Sequence, residues 1–327
     1  MRAFVTGATG FIGTNLVNEL IKRDYTVCCL VRSYAKAKHL EDDNIELVQG
    51  DLYTTKGLAE QVSKADIVFH VAGVTKALNN SAYFRGNLKT TRHLVNTIRD
   101  HAPSHQKIVY ISSQAATGPC ADFPGIDESV EDCPAVSAYG KSKREAEKEI
   151  LSISDQFSVV VLRPSIVFGP RDRGMLQIFK TIARGVKIKS GFRVFPVSLI
   201  YVDDLVEAIL LAGHSADADG GIFYVSDGKQ YDWDMLNAAI ASNVNPRAVG
   251  LSIPLKLIWF ASCINGILGR CLGHPQDLNP DKWFEIKQEG WVCSPNRIQT
   301  ILGFCPKWGL EDGIKATVQW YRGAGWL

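Results

Sequence analysis

A tyrosine and a lysine stand four residues apart, at Tyr139-x-x-x-Lys143, where a helical pattern begins. On a helix this spacing places both side chains on one face, about one turn from each other. A phenol is a poor base because its ordinary pKa is roughly 10, but a neighbouring ammonium favours the phenolate and lowers that pKa. The pair therefore predicts proton transfer at a substrate oxygen. Such pairs are common on helices, so the prediction depends on the residues around it.

Two serines, Ser112-Ser113, end the predicted strand Lys107–Ser112 just before this helix in the chain. A hydroxyl at that point can hydrogen-bond a substrate oxygen and orient it for proton transfer. A serine such as Ser113 is the candidate for this role.

A glycine-rich turn, Gly7-x-x-Gly10-x-x-Gly13, lies between a short apolar run at 3–5 and a helical pattern at 14–23. Glycines there allow a tight turn and a close approach of the backbone to a pyrophosphate, which the free N–H groups of a helix start can bind. A second predicted strand, 25–31, follows as expected for a dinucleotide fold. The predicted cofactor contacts in this turn are Gly7, Thr9, Gly10, Phe11, Ile12 and Gly13.

Arg32 comes directly after the second predicted strand, where such folds meet the adenosine ribose. A carboxylate here would accept from the ribose 2′-hydroxyl, whereas a guanidinium suits a 2′-phosphate. We therefore predict NADP as the cofactor, with NAD still possible.

Two further strands end in residues that suit a cofactor. Asp51 follows the strand at 44–49 and can accept from the adenine amino group, although an isolated Asp can equally cap a helix. Ala72-Gly73 follows the apolar strand at 65–71, and small residues there let the backbone lie against a ligand. His70, in that strand, is interpreted as a core histidine.

Strands and helices alternate through the first half of the chain, which predicts an α/β fold with a doubly wound parallel sheet, the Rossmann arrangement. Ligands bind beyond the carboxyl ends of such strands, so the glycine turn, Asp51, Ala72-Gly73 and Ser113 should converge. We predict a dinucleotide-binding domain at 1–165, to which 199–225 returns. A smaller interleaved C-terminal lobe, 166–198 and 226–327, should bind the substrate.

Composition excludes several classes of protein. The 327 residues carry a net charge of +2 without a basic patch, so nucleic acid is not expected as a partner. Eight cysteines without a CxxC pair indicate reduced core residues of a cytoplasmic protein, with no metal site. A strand so close to Met1 also predicts that no signal peptide precedes it. The longest uncharged run, Leu257–Gly269, is shorter than the roughly 20 residues of a membrane span, which indicates a buried or interfacial helix.

As a set, these motifs resemble the extended short-chain dehydrogenase/reductase family. The matching segments are Gly7-x-x-Gly10-x-x-Gly13, Gly50-Asp51-Leu52, His70-Val-Ala-Gly73, Asn87, Ser112-Ser113, Tyr139-x-x-x-Lys143, Arg163-Pro164, Gly169-Pro170 and Val202-Asp203-Asp204-Leu205. The resemblance implies a Rossmann domain, a small-molecule substrate and catalysis by Ser113, Tyr139 and Lys143. It also implies that a nicotinamide cofactor is held by the glycine turn and by Asp51, Leu52, Val71, Ala72, Gly73, Tyr139, Lys143, Pro164 and Val167. We expect a homodimer.

Within that family the chain is most similar to dihydroflavonol reductases and 3β-hydroxysteroid dehydrogenases. Members that dehydrate nucleotide sugars carry an Asp-Glu pair after the catalytic hydroxyl, whereas this chain has Gln114 and Ala115. The segment 192–201 lacks the Arg-Asp turn that often precedes Val-Asp-Asp in sugar-nucleotide enzymes. The segment 253–260 and the helix after it have apolar side chains that suit a pocket for a bulky hydrophobic substrate, a core or a dimer surface. We therefore expect interconversion of a ketone and a secondary alcohol. Two alternatives remain open: a nucleotide-sugar epimerase with tightly bound NAD, and a non-catalytic cofactor-binding sensor or scaffold.

Overall fold

A computed structural model describes residues 1–54, 57–104, 106–130 and 133–327. The strands within these ranges are β1 (Arg2–Thr6), β2 (Thr26–Val31), β3 (Ile45–Gln49), β4 (Ile67–His70), β5 (Lys107–Ile111), β6 (Ser158–Pro164), β7 (Ile166–Phe168), β8 (Val186–Ser190), β9 (Leu199–Tyr201), β10 (Ile222–Val225) and β11 (Val249–Ile253). The α-helices are α1 (Phe11–Lys22), α2 (Tyr34–Ala37), α3 (Leu58–Lys64), α4 (Asn80–Phe84), α5 (Thr90–His101), α6 (Ala138–Leu151), α7 (Leu176–Ala183), α8 (Val202–His214), α9 (Trp233–Val244), α10 (Leu255–Leu272), α11 (Pro280–Ile286), α12 (Asn296–Leu302) and α13 (Leu310–Gly323).

Seven parallel strands form the large sheet in the order β10-β6-β5-β4-β1-β2-β3. The central strands are apolar on both faces because helices cover the sheet on both sides. One face packs with Leu16, Leu20 and Ile209 of α1 and α8, and the other packs with Leu94 and Ile150 of α5 and α6. The predicted doubly wound α/β fold is confirmed.

Two parallel pairs, β7–β9 and β8–β11, lie outside the large sheet. Within 199–225, α8 packs on the large sheet and β10 joins it by pairing with β6. The strand at 199–201 differs from the prediction, because β9 pairs with β7 instead of returning to the large sheet. The domain boundaries at 165, 198 and 225 stay a prediction.

The apolar segment after Pro254 forms α10, whose surroundings differ from a buried core. Among the described helices α10 alone is long and apolar enough, by length and composition, to cross a membrane, with a mean hydropathy of 1.3 and 17% of its residues buried. Its buried residues are Ile258, Ser262 and Gly269. Of the two alternatives for this segment, a buried or an interfacial helix, the buried one is wrong, because most of its large side chains face outward.

The thiols also depart from the expectation that all eight are core residues. No disulfide joins them; Cys28, Cys29 and Cys293 are buried, and burial raises the pKa of each to about 12. Cys271 and Cys305 are exposed instead, so the prediction of core burial is wrong for these two.

Candidate active site

The glycine turn connects β1 to α1 and needs glycine for steric reasons at two of its positions. Gly7 has a φ of +77°, and a Cβ there would lie 2.6 Å from the backbone N of Ala72. At Gly13 a Cβ would lie 2.1 Å from the carbonyl oxygen of Gly7. The turn therefore packs tightly against the loop after β4 and brings the start of α1 to the carboxyl edge of the sheet.

A cavity of about 1320 Å³ runs along that edge and continues between the sheet and the C-terminal lobe. Every predicted catalytic and cofactor-binding residue lines it except Lys143, which lies just beneath the wall at Gly73. Those lining residues are Gly7, Thr9, Gly10, Phe11, Ile12, Gly13, Arg32, Asp51, Leu52, Val71, Ala72, Gly73, Ser113, Tyr139, Pro164 and Val167. The placement brings them together as a group, while their individual roles stay predictions.

The two serines after β5 point in different directions. Ser113 lines the cavity, whereas Ser112 is 5% exposed and donates a hydrogen bond to Glu147 Oε1 at 2.5 Å. Ser112 thus belongs to a buried group below the site, and Ser113 is the serine whose hydroxyl a substrate can reach.

Tyr139 stands in the first turn of α6 and faces the cavity. Burial raises the pKa of Tyr139 to about 12, although a hydrogen bond with Ser113 acts in the opposite direction. The expectation that Lys143 lowers the pKa of this phenol is wrong, because the lysine is engaged elsewhere. Tyr139 is therefore a protonated phenol at neutral pH and is suited to donate a proton.

Lys143 is 3% exposed, and its ammonium donates to the carbonyl oxygen of Ile111 at 2.6 Å. It also lies over the ring of Tyr110, 4.3 Å from the centroid. Burial lowers the pKa of Lys143 to about 7, with Glu147 acting in the opposite direction. The site thus holds a lysine whose charge is easily lost when nothing further compensates it.

His70 is a core histidine, as interpreted from the sequence. It is fully buried, and hydrogen bonds join its two ring nitrogens to the hydroxyls of Thr6 at 2.7 Å and Thr91 at 2.8 Å. Burial lowers the pKa of His70 to about 3. The neutral ring ties β4 to β1 and α5 and takes no part in proton transfer.

Asn87, one of the residues that carry the family resemblance, lies inside a π-helical turn, 85–89, between α4 and α5. Its side-chain oxygen accepts from the N–H of Val74 at 2.6 Å, and its amide donates to Ser142 Oγ at 2.8 Å. Asn87 therefore links the loop after β4 to the helix that carries Tyr139. A π-helical turn can mark such a functional position, but no sequence pattern predicted it here.

Helix α11 of the C-terminal lobe contacts the start of α6 and fixes its position. The carboxylate of Asp281 accepts from the N–H groups of Ala138 at 2.6 Å and Tyr139 at 3.1 Å. Ser137 caps the same helix by accepting from the N–H of Gly140, and its hydroxyl donates to Glu285 of α11. Two acidic residues of the lobe thus fix the position of the tyrosine, a role that their sequence context did not indicate.

Arg32 and Asp51 lie at the adenosine end of the cavity. Arg32 is exposed, and within the described ranges its guanidinium has no hydrogen bond or ion pair. Asp51 Oδ1 accepts from the N–H of Tyr53 at 2.8 Å and closes a turn, so it does not cap a helix.

The far end of the cavity combines apolar and polar side chains. Its apolar members are Ile166, Met175, Ile178, Phe195, Trp233, Leu278, Ile286 and Trp291, and its polar members include Gln177, Ser190, Asp277 and Lys282. Asp172 lies on the same wall, where burial raises its pKa to about 6 and the ammonium of Lys76 acts in the opposite direction. No residue of α10 lines this cavity, so the expectation that α10 contributes to the substrate pocket is wrong.

The residues present fit a nicotinamide dinucleotide. Helix α1 begins without a side-chain cap, so its first N–H groups remain available at the part of the cavity wall formed by Phe11, Ile12 and Gly13. Gly10 has no Cβ to obstruct that wall. A dinucleotide phosphate would take the hydrogen bonds that these N–H groups lack.

A family profile described as the NAD dependent epimerase/dehydratase family matches residues 3–226. The chain belongs to this family. Its resemblance to the extended short-chain dehydrogenase/reductases is thereby confirmed, and the protein is an oxidoreductase-type enzyme that binds a nicotinamide dinucleotide.

Two relatives with similar sequences align with almost the whole chain. A ceramide reductase of Caulobacter vibrioides is 28% identical over 99% of this chain and 95% of its own length. A sterol-4-alpha-carboxylate 3-dehydrogenase, erg26, of Schizosaccharomyces pombe is 25% identical over 98% of this chain and 97% of its own length. Among solved structures, a UDP-glucuronic acid 4-epimerase from Bacillus cereus, in complex with UDP-glucuronic acid and NAD, superposes with a TM-score of 0.79 at 18% identity. It covers 99% of this chain and 100% of its own.

Proposed function

We propose that the protein is an NADP-dependent oxidoreductase that interconverts a ketone and a secondary alcohol on a hydrophobic small molecule. One observation carries the proposal: the hydroxyls of Ser113 and Tyr139 face a cavity whose far end is walled by Phe195, Trp233 and Trp291. An apolar molecule bound there can present its carbonyl to both hydroxyls.

In the reducing direction the phenol of Tyr139 donates its proton to the ketone oxygen. Ser113 hydrogen-bonds that oxygen and orients it, and Lys143 lies close enough beneath the wall to hold a ribose hydroxyl. When bound, the nicotinamide dinucleotide supplies the hydride chemistry at the carbonyl carbon. The pKa of Tyr139, about 12, keeps the phenol protonated at neutral pH and so favours proton donation over proton removal.

The preference for NADP rests on Arg32. Its guanidinium is exposed on the cavity wall beside the end of β2. A 2′-phosphate at this position would gain a charge-assisted hydrogen bond that a 2′-hydroxyl cannot match.

The choice of a hydrophobic substrate is supported by the relatives. The names of two of them, a ceramide reductase and a sterol dehydrogenase, refer to apolar molecules that carry an oxygen function. The apolar side chains at the far end of the cavity, among them Phe195, Trp233 and Trp291, suit such a molecule.

The proposal is tested by offering NADPH and NADH to the purified protein and following absorbance at the nicotinamide band while ketones and sugar nucleotides are added. We expect tighter binding of NADPH and oxidation only when a long-chain or polycyclic ketone is present. If no long-chain or polycyclic ketone caused oxidation of NADPH, the proposed substrate class would be contradicted.

A second candidate is epimerisation of a nucleotide sugar, in which NAD stays bound and is not consumed. It is favoured by the superposition on the UDP-glucuronic acid 4-epimerase and by Arg171 and Arg173 on the cavity wall, which could bind a diphosphate. Both guanidiniums, however, lie over indole rings, those of Trp320 and Trp326. A sugar nucleotide that changes configuration without nicotinamide turnover would support this candidate.

A cytoplasmic location and a homodimer remain part of the proposal. The content of reduced cysteines supports the location.

A further inference from the structure

The outer side of α10 carries a continuous row of large apolar side chains. They recur at helical spacing along one side, and each is between 42% and 60% exposed: Leu257, Phe260, Ile264, Ile267, Leu268 and Leu272. Soluble proteins rarely leave a contiguous row of this kind open to water.

The β8–β11 pair extends this row. Ile188 and Leu251 stand opposite each other in the register and are 42% and 53% exposed, and Val249 on the same side is 71% exposed. Phe192, just beyond β8, is 77% exposed. Because β11 runs directly into α10, these residues and the row on α10 form one surface, which we call the apolar face.

The segments that form the apolar face are basic. Residues 186–193 and 249–272 contain no Asp or Glu but five Lys and Arg, in a chain whose net charge is only +2. One of the five, Lys189, is paired with Asp234 of α9. Two of these cations, Lys256 and Arg270, are exposed at the two ends of the uncharged run on α10. The surface thus combines exposed apolar side chains with a surplus of positive charge.

We propose that the apolar face docks on the surface of a lipid bilayer that contains anionic phospholipids. Apolar side chains entering the acyl boundary and cations contacting phosphate groups are the two contributions that bind an interfacial helix. A second copy of the chain fits less well, because a two-fold interface would place these cations against the same cations of the partner.

The helix lies on the bilayer and does not cross it. A Cβ at Gly266 of α10 would lie 2.7 Å from Pro280 of α11, and the N–H of Gly191 after β8 donates to the carbonyl of Ile253 just before α10. The helix is thus held along the body of the lobe, and both of its ends return to that lobe. Its outward side alone is free to enter lipid.

The cavity opens beside this surface. Ile188 belongs to the apolar face and also lines the cavity, and Leu278, between α10 and α11, lines it as well. Docking would therefore place the opening against lipid. The docking surface goes beyond the proposed function and does not depend on it.

The proposal is tested by sedimenting the full chain with vesicles of phosphatidylcholine and with vesicles of phosphatidylcholine mixed with phosphatidylglycerol. We expect strong binding to the mixed vesicles only, falling as salt is added. Leu257→Glu/Phe260→Glu should weaken binding by about tenfold or more, because two charges would enter the acyl boundary. Ile301→Glu, at a 39% exposed position on α12 at the far edge of the large sheet, is the matched control and should bind as the native chain does.

A second variant, Lys256→Glu/Arg270→Glu, leaves the apolar side chains in place and guards against misfolding of the first. It should reduce binding to the mixed vesicles by about thirtyfold or more, since two basic residues that each contribute roughly 1 kcal/mol near an anionic surface are lost. Equal binding to both kinds of vesicle would overturn the proposal. A second outcome would also overturn it: the native chain does not bind vesicles and sediments as a dimer, whereas Leu257→Glu/Phe260→Glu sediments as a monomer. The apolar face would then be an interface between two copies of the chain.

Discussion

The nucleotide end of the cavity is walled by loops that follow successive strands of one sheet, whereas the substrate end is walled by segments far apart in the chain. Gly7, Asp51 and Gly73 each come just after a parallel strand, so the sheet order alone brings them together. Phe195, Trp233 and Trp291 meet only because the lobe folds over the sheet edge. Tyr139, the proposed proton donor, lies between the two ends, on a helix of the nucleotide domain whose start is capped by a residue of the lobe.

This comparison predicts that removing the shared hydroxyl has the largest effect. Tyr139→Phe should lower kcat by about a hundredfold to ten-thousandfold, because proton donation is lost, and leave NADPH affinity unchanged. Steady-state kinetics and fluorescence titration measure the two quantities. Tyr231→Phe removes a phenol that donates to Asp227 and should retain full activity. Unchanged turnover in Tyr139→Phe would contradict the assigned mechanism.

Removing the contact between the two ends should have the second-largest effect on activity. Asp281→Ala removes both carboxylate contacts to the start of α6, so kcat should fall by about tenfold to a hundredfold through misplacement of Tyr139. The lost cap should also lower the free energy of unfolding by about 1 kcal/mol. Asp281→Asn keeps one hydrogen-bond acceptor, so its kcat and its free energy of unfolding should lie between those of Asp281→Ala and those of the native chain. A lower melting temperature with unchanged kcat would show that α11 only stabilises the fold.

A change confined to the nucleotide end should alter cofactor choice alone. Arg32→Ala should weaken NADPH binding by about tenfold, the loss of one charge-assisted hydrogen bond, with little change for NADH. Arg99→Ala on α5 removes an exposed arginine away from the cavity and serves as the control. Equal losses for both dinucleotides would assign Arg32 to general phosphate attraction.

The smallest expected effect concerns pH. The pKa of Lys143 is lowered from 10.5 to about 7, so its ammonium is lost as pH rises through neutrality. NADPH affinity should fall a few-fold across that range, and Lys143→Met should remove the dependence. Since the unfolded chain binds more protons between the two pKa values, Lys143 makes the free energy of unfolding rise with pH there. Parallel pH profiles in Lys143→Met and the native chain would contradict this assignment.

Local sequence predicted the nucleotide end well because each of its elements is short-range. Strands β1, β2 and β4 are apolar runs that stop at small or polar residues, and the glycine turn has a fixed spacing. The parallel sheet then follows from the alternation of strands and helices.

The contacts made across the chain could not be predicted in this way. In the sequence, Asp281 is an ordinary acidic residue in the first turn of α11. The helix that it contacts, α6, lies more than a hundred residues earlier in the chain. Lys143 was expected to act on the phenol, but burial and the carbonyl of Ile111 determine its charge. The exposure of α10 likewise depends on what the lobe leaves uncovered, which no hydropathy pattern shows.

The central claim is net reduction of an apolar ketone with a proton from Tyr139. The most direct measurement uses NADPH carrying deuterium at the transferable position of the nicotinamide, followed by mass analysis of the isolated product. We predict one deuterium at the carbinol carbon for each NADPH oxidised, and labelled product that forms about a hundredfold or more slowly in Tyr139→Phe. A product that carries no deuterium while a sugar nucleotide changes configuration would contradict it and identify an epimerase.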